Sequence, residues 1–538
     1  MTTTFKQFEC GCKFPVVNGH VEIPDDIPEN CQRTWNLVSD GLTWGVFQLD
    51  SSTGQKYSEE AKPKSIDEMA DVQSIIRPGT LGVKEQGKNL AQHYCDRKHK
   101  KDDVNPMHSS VEEILRDTQQ IIVYQEQAIL IAKKLAGFTG DQADLYIRKA
   151  IGKKNVKLIN EAKKLFLEGC ERVGIVNKEK ALEIFQGIES AGRYSFNKSH
   201  AVAYSKDAYY YSAYIKAHFP RSFYCSEMQF SKDNDGIKDA INDAKKLSIT
   251  VRKPCLAWFN SEPEIQSKDI LFPLAKIKYV SEGVINQIEG AVQEFCEEKE
   301  LHSPDSMRYR DWLIVLCGVK KDAVKALVLS GALDFLKIPR MRFWKDLEIF
   351  HKLTGKKQPL QLEYISKHSG TISDALVEMT GLGTGKETLI STKRMLPKIR
   401  DLAQLAKQNE RVTQNEPYQM AEWEKYYLGI EITCTKLDAV LNSPNNAYEC
   451  IDVYEKRCTD KGNISLNCII DSWKNWENNE GKTHCFIKIY DQSCELDAVI
   501  FDKNYSEMNK SMIKEGNTIV AKGKRSGRSF LIESIREI

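Results

Sequence analysis

RYSFNKSHAVAYSKDAYYYSAYIKAHFPRSF, residues 193–223, is the stretch on which the reading of this chain turns. Asn197 or Ser199 can cap a helix, because a short side-chain oxygen accepts from the N–H groups that a first turn leaves open. Ala201, Tyr204, Ala208, Tyr211 and Ile215 then recur at spacings of three and four, an apolar stripe that stops at Pro220. The helix start so predicted offers free N–H groups and a partial positive charge to a phosphate. Lys198 adds a full charge, and His200 a ring that can donate near neutral pH. The tyrosines belong mainly to a core, with one of Tyr194, Tyr204 or Tyr209 a candidate for stacking on a base.

Upstream, QADLYIRKAIGKKNVK (142–157) sets Lys149, Lys153 and Lys157 at i, i+4 and i+8, one helical face if the helix runs through Gly152. Arg148 and Lys154 flank that face, and Leu145, Ile147 and Ile151 can anchor it. A cationic stripe on an anchored helix suits a triphosphate or a DNA backbone. Alone it reads as a solvated basic face; the two stretches together point to phosphate binding.

The rest of the chain frames these motifs. With 538 residues, three to five domains are expected. A content of 41% hydrophobic and 28% charged residues is that of a globular protein, with no apolar run long enough to span a membrane and no signal-peptide layout. Fifteen scattered cysteines read as reduced thiols of a cytoplasmic protein. Net charge is only +2, so any nucleic-acid surface must come from where the 77 Lys and Arg gather. Residues 1–42 form a Cys-rich leader, 43–230 a helical region holding the motifs, 231–340 a second helical region, and 341–445 a helical connector. In 446–538, β-branched runs alternate with Gly, Asn and Asp turns, the signature of a small all-β module of OB type. The fold class expected is α+β and multidomain.

Six motifs in family order now carry a resemblance: GLTWGVFQLDS (41–51), IIRPGTLG (75–82), VYQEQAILIA (123–132), ADLYIRKAIGKK (143–154), YSFNKSHAVAYS (194–205) and AYIKAHFPRSF (213–223). LVLSGALDFL (327–336) and YYLGIEIT (426–433) extend it. The chain resembles the alpha subunit of bacterial DNA polymerase III and its phage relatives, the C-family replicative polymerases. The resemblance implies fingers, then a tandem helix-hairpin-helix region, then an OB fold. It implies that Arg148, Lys149, Lys153, Lys154, Lys198 and His200, with Arg77, bind the incoming dNTP and the template–primer. Gln125 and Glu126 are expected to brace the fingers. The setting implied is the cytoplasm of a bacterium or a phage-infected host.

Phosphoryl transfer by polymerases needs clustered carboxylates holding two metal ions. The stretch before Thr43 has no D-x-D; Asp25 and Asp26 are adjacent and would project differently. No catalytic residue is therefore assigned in this chain, which is expected to be inactive alone: one half of a split enzyme whose Mg2+ is held mainly by a palm-bearing partner, or else a fragment. A non-catalytic DNA-binding scaffold derived from a polymerase is the alternative.

Further candidates are local. Cys10, Cys12 and Cys31, with His20, are candidate zinc ligands, against a reading as buried thiols. GLGTGK (381–386) lacks Walker spacing and reads as a turn. IKYVSEGVINQI (277–288) and CGVKKDAVKALVLSGAL (317–333) are the candidate helix-hairpin-helix elements. QPLQLEY (358–364) stands where relatives carry a sliding-clamp peptide. In the β module Trp473 and Phe486, with Trp476 and Phe530, are stacking candidates for single-stranded DNA, beside Lys522, Lys524, Arg525 and Arg528.

Overall fold

Gly11, at φ 87°, turns the chain between its first two strands: its N–H donates to the Phe8 carbonyl, and Phe8 N–H to that of Cys12. In the computed structural model β1 (Thr4–Gln7) and β2 (Lys13–Val17) pair antiparallel with Thr4 opposite Val16, and β3 (His20–Val21) continues the sheet. The structure describes residues 4–537 apart from 18–19, 23–26, 105, 151–155, 193, 354, 436–447, 460–461, 479–480 and 492. Asp25, Asp26, Lys153 and Lys154 therefore lie outside the described residues. The chain divides into two units, Met1–Phe223 and Tyr224–Ile538.

The first unit is helical beyond its small sheet. Helices α1 (Gln32–Ser39), α2 (Ile66–Ile75) and α3 (Leu90–Lys98) precede α4 (Gln125–Ala136), α5 (Val156–Val173) and α6 (Lys178–Ala191). Then come α7 (Lys198–Asp207) and α8 (Tyr214–His218). Caps explain many of the starts: Ser65, Asn89, Asn177 and Asn197 each accept a first-turn N–H. Two cores result. One gathers Leu135, Phe166, Phe185 and Ile188 between α4, α5 and α6. The other joins Phe14 of β2 and Trp35 of α1 to Met69, Tyr94, Tyr124, Tyr209 and Tyr214, so residues of the expected leader share the core of the motif region.

The apolar stripe predicted along 201–215 holds only for its first half. Ala201 and Ala208 are buried, but Tyr211 is 71% exposed while Tyr209, Ala213 and Tyr214 are buried. The cause is a π-helical segment, Ala208–Ala213, between α7 and α8. Wider i→i+5 turns rotate the following residues off the 3.6-residue period. The expected Lys149, Lys153, Lys157 stripe runs through 151–155, outside the described residues. A π-helical segment ends at Lys149, and Lys157 belongs to α5, which begins at Val156.

The second unit opens with helices and ends in a barrel. Within it, α9 (Glu282–Glu298), α10 (Tyr309–Cys317), α11 (Lys321–Leu329), α12 (Arg340–Lys352) and α13 (Gln358–Lys367) pack around Trp312, Leu327 and Phe350. Arg340 is buried and donates to Asp334 (3.0 and 2.8 Å), Glu424 (2.8 Å) and the Leu329 carbonyl. The LVLSGALDFL motif builds this node. Gly331 has φ 90°, and a Cβ there would stand 2.4 Å from the Arg340 guanidinium, so only glycine fits. QPLQLEY forms most of α13, with Gln361 and Leu362 buried and Gln361 donating to the Leu389 carbonyl at 2.8 Å. Leu360 is 50% exposed and Gln358 half-buried.

Strands β4 (Ile464–Glu477), β5 (Thr483–Tyr490), β6 (Glu495–Ile500), β7 (Thr518–Ser526) and β8 (Ser529–Glu537) close in the order β5-β6-β8-β7-β4. The closing pair β6–β8 is parallel, Ala498 opposite Phe530, and every other pair is antiparallel. That is the OB-type barrel expected from the sequence. Leu466, Ile487, Ala498 and Ile519 alternate inward, and so does Phe530, which is core and leaves the set of stacking candidates.

Candidate functional site

The first unit carries a strip of cations and rings on its surface. The Arg77 guanidinium lies 3.4 Å above the Phe196 ring. Phe196 meets His200 edge-on at 5.3 Å, His200 meets Tyr204 at 4.1 Å, and Tyr204 stacks on Phe47 at 5.2 Å. Arg77 and His200 are exposed, Phe196 and Tyr204 half-buried, and Phe47 is 44% exposed. Lys198 lies one turn from the strip, its ammonium 5.7 Å over the Tyr124 ring and 3.7 Å from Asp67. That ion pair is solvent-exposed on both sides and contributes little, leaving the charge available to a ligand. Of the three tyrosines singled out for stacking, only Tyr204 is in the strip; Tyr209 is core and Tyr194 packs against the core of Phe166 and Phe185. Phe47 and Phe196 escaped sequence reasoning, although both stand inside the motifs GLTWGVFQLDS and YSFNKSHAVAYS.

What holds the strip is a set of buried or half-buried polar contacts. The Glu126 carboxylate at the start of α4 accepts from the Asn197 amide (2.9 Å) and from the Lys198 N–H (3.0 Å), while Asn197 accepts from the His200 N–H (2.9 Å). Two of the N–H groups expected to face a phosphate are thus taken by protein acceptors. Anion attraction at the start of α7 therefore falls to the side chains of Lys198, His200 and Arg77. Glu126 braces the fingers helix, as its motif suggested, and Gln125 assists with its N–H on the Phe196 carbonyl at 2.9 Å. Behind Tyr124, buried Asp71 accepts from Tyr124 (2.6 Å) and Tyr94 (3.0 Å). Burial pushes its carboxyl up to about 7, against the pull of the Tyr124 and Tyr94 hydroxyls and of Lys198. Lys216, fully buried, donates to the carbonyls of Leu42 (2.9 Å) and Trp44 (2.7 Å), which fixes the loop leading to Phe47.

The remaining expected residues stand elsewhere. Arg148 and Lys149 both pair with Asp144, at 2.5 and 2.8 Å, and the Asp144 carboxyl is held down at about 2 by Arg148 first and Lys149 second. In the barrel, Phe486 and Trp473 are exposed on adjacent strands, but Phe486 sits opposite Lys474 and Trp473 opposite Ile487. They consequently face opposite sides, and the ring neighbours of Phe486 are Trp476 (6.4 Å) and, through it, His484 (5.7 Å). Lys524 pairs with Glu533 at 3.0 Å, Lys522 is exposed, and Arg525 donates to the Cys458 and Gly527 carbonyls.

Three of the expected metal ligands do converge. Cys10, Cys12 and Cys31 gather with an imidazole, that of His218 at the end of α8, where the sequence pointed to His20. Among the described residues this is the one group of three or more His, Cys, Asp or Glu side chains arranged to hold a metal. No carboxylate cluster suited to a pair of magnesium ions occurs among them.

Residues 17–174 match the finger domain of the bacterial DNA polymerase III alpha subunit. Over 94% of its length the chain is 28% identical to the DNA polymerase III subunit alpha of Aquifex aeolicus, covering 38% of that protein. Identity to its Bacillus subtilis counterpart is 25%, again over 94% of the chain and 41% of the relative. A 319-residue match to the Halalkalibacterium halodurans subunit is 33% identical and covers 59% of this chain and 27% of the relative. The chain spans about two fifths of the length of the first two relatives.

Proposed function

We infer, for a chain that contains the finger domain of a bacterial DNA polymerase III alpha subunit and is related to such subunits over 94% of its length, that it supplies the nucleotide- and DNA-gripping part of a DNA-directed DNA polymerase in genome replication. The observation that carries this reading is the strip Arg77–Phe196–His200–Tyr204–Phe47 with Lys198 beside it. A row of π-faces interleaved with cations takes bases by stacking and phosphates by charge, whatever the sequence. Arg77, Lys198 and His200 bind the triphosphate of the incoming dNTP. Arg148 and Lys149, with Lys153 and Lys154, extend that grip to the template–primer backbone. On the barrel, single-stranded template is taken by Phe486 together with Trp476, which shares its face, whereas Trp473 faces the other side.

Mg2+, when bound by palm carboxylates, neutralises the developing charge on the transferring phosphate. The residues described here do not fit that ion pair, so the carboxylates come from outside them, on a palm-bearing polypeptide in the reading we favour. This chain's own part is to orient the triphosphate and to hold the base in line.

The test pairs the full chain with a palm-bearing polypeptide and measures nucleotide incorporation and template–primer binding. Each hydrogen bond from these side chains to the triphosphate is worth about 1 kcal/mol. Replacing Arg77, Lys198 and His200 together by alanine should therefore raise the KM for dNTP by roughly tenfold or more. Wild-type incorporation by that variant overturns the assignment. DNA binding that persists while no palm-bearing partner ever restores synthesis favours the scaffold reading instead.

A further inference from the structure

We propose that Cys10, Cys12, Cys31 and His218 form a closed structural zinc site that clamps the N-terminal hairpin to α1 and α8. The ligand atoms of all four lie within 4.8 Å of one another, with Cys10 Sγ 3.3 Å and Cys31 Sγ 3.7 Å from His218 Nε2. A tetrahedral zinc with bonds of about 2.3 Å to sulfur and 2.0 Å to nitrogen separates sulfur from nitrogen by about 3.5 Å. Those bond lengths put its sulfurs about 3.8 Å apart. The two sulfur–nitrogen distances already bracket the spacing that the ion imposes, and every other ligand pair lies within about 1 Å of it or closer.

The imidazole is set for ligation by its other nitrogen. His218 Nδ1 lies 2.9 Å from the Tyr214 carbonyl, which can only accept, so Nδ1 carries the proton and the Nε2 lone pair faces the thiols. Backbone geometry presents the sulfurs. The Gly11 turn at φ 87° brings Cys10 and Cys12 to the same side of the hairpin end, and Cys31 occupies the N-cap of α1, where the helix dipole favours a thiolate. Cys12, Cys31 and His218 are buried and Cys10 is half-buried. Phe8 and Phe14 pack on the His218 ring at 5.1 and 5.3 Å, and Phe219 on Phe14 at 4.7 Å.

Four protein ligands in an aromatic shell leave no position for water or substrate, the mark of a structural site. Three soft sulfurs and one imidazole select zinc over magnesium or calcium. Binding moves the three thiol protons to solvent and leaves three thiolates and a neutral imidazole on Zn2+, one net negative charge. As thiols, the same groups would have only weak S–H donors facing one another in a core. The tie crosses 208 residues, from Cys10 to His218, and both ends of the candidate fingers are held by it.

The experiment uses the full chain purified under reducing conditions. Expected are one zinc per chain by elemental analysis and, on exchange with Co2+, the visible bands of a tetrahedral thiolate-rich site. Cys12→Ser and His218→Asn should each lose the metal, while Cys95→Ser, a buried cysteine outside the cluster, keeps it. Should the ligand variants fail to fold, chelation of the wild-type chain supplies the second measurement. Amide exchange should then rise across β1 and β2 and return to its starting level when zinc is restored. A wild-type chain with no stoichiometric metal that also refuses Co2+, or a Cys12→Ser chain that retains its zinc in full, overturns the proposal.

Discussion

Replacing Glu126 by glutamine tests whether the brace on α7 is what presents Lys198 and His200. The carboxylate accepts two hydrogen bonds, from Asn197 Nδ2 at 2.9 Å and from the Lys198 N–H at 3.0 Å. A glutamine keeps one acceptor of the same shape and turns an NH2 toward the other donor, so one bond is lost. Bonds to a charged group contribute about 1.5–3 kcal/mol each. Glu126 is only half-buried, and water replaces part of what is lost, which brings the expected cost to about 1–2 kcal/mol. If the start of α7 orients its cations, the same energy appears in nucleotide affinity, a roughly 5- to 30-fold weaker Kd for dNTP. The assay is fluorescence anisotropy of a labelled dNTP, alongside amide exchange at Lys198 and His200. Exchange should quicken at both amides, since the Asn197 cap is held by the same carboxylate. An affinity within twofold of wild type despite faster exchange refutes the presenting role. Unchanged exchange refutes the brace itself.

Two further predictions concern stability. Asp71 is raised to about 7 by burial, whereas in the unfolded chain its carboxyl titrates near 4, so between these values the folded state keeps a proton that the unfolded chain has released. Stability must then fall as pH rises through that window. Relative to Asp71→Asn the wild type should lose about 3 kcal/mol between pH 5 and 8, read by urea unfolding; parallel pH curves would show the raised value to be wrong. In the second unit, Arg340→Met strips the buried carboxylate of Glu424 of its cation while Asp334 keeps Lys253 at 2.6 Å. Breaking one side of such a node costs about 3–5 kcal/mol, so a loss below 1 kcal/mol in urea unfolding would contradict the role given to the SGALD motif.

The motifs, the helical half and the strand-and-turn C-terminus were legible because they are local. Caps, period and turn residues act within a few positions, so the cap could be narrowed to Asn197 or Ser199 and a small barrel placed within 446–538. Two local readings failed for physical reasons. The stripe past Ala208 went wrong because a π-helical segment changes the period without a distinctive residue, so Tyr211 is exposed where core was expected. The helix start at Lys198 was expected open to phosphate, and Glu126, 72 residues earlier, occupies it.

By itself, then, the sequence determined where cations and rings cluster in the motifs, the resemblance to polymerase fingers and the order of helical and β regions. Only the tertiary structure decided which side chains meet. It brought Arg77, Phe196 and Phe47 into one strip and set His218 beside the N-terminal cysteines. The physical reason is that periodicity encodes which face of an element is buried, whereas the packing of distant elements chooses the neighbour that face will have.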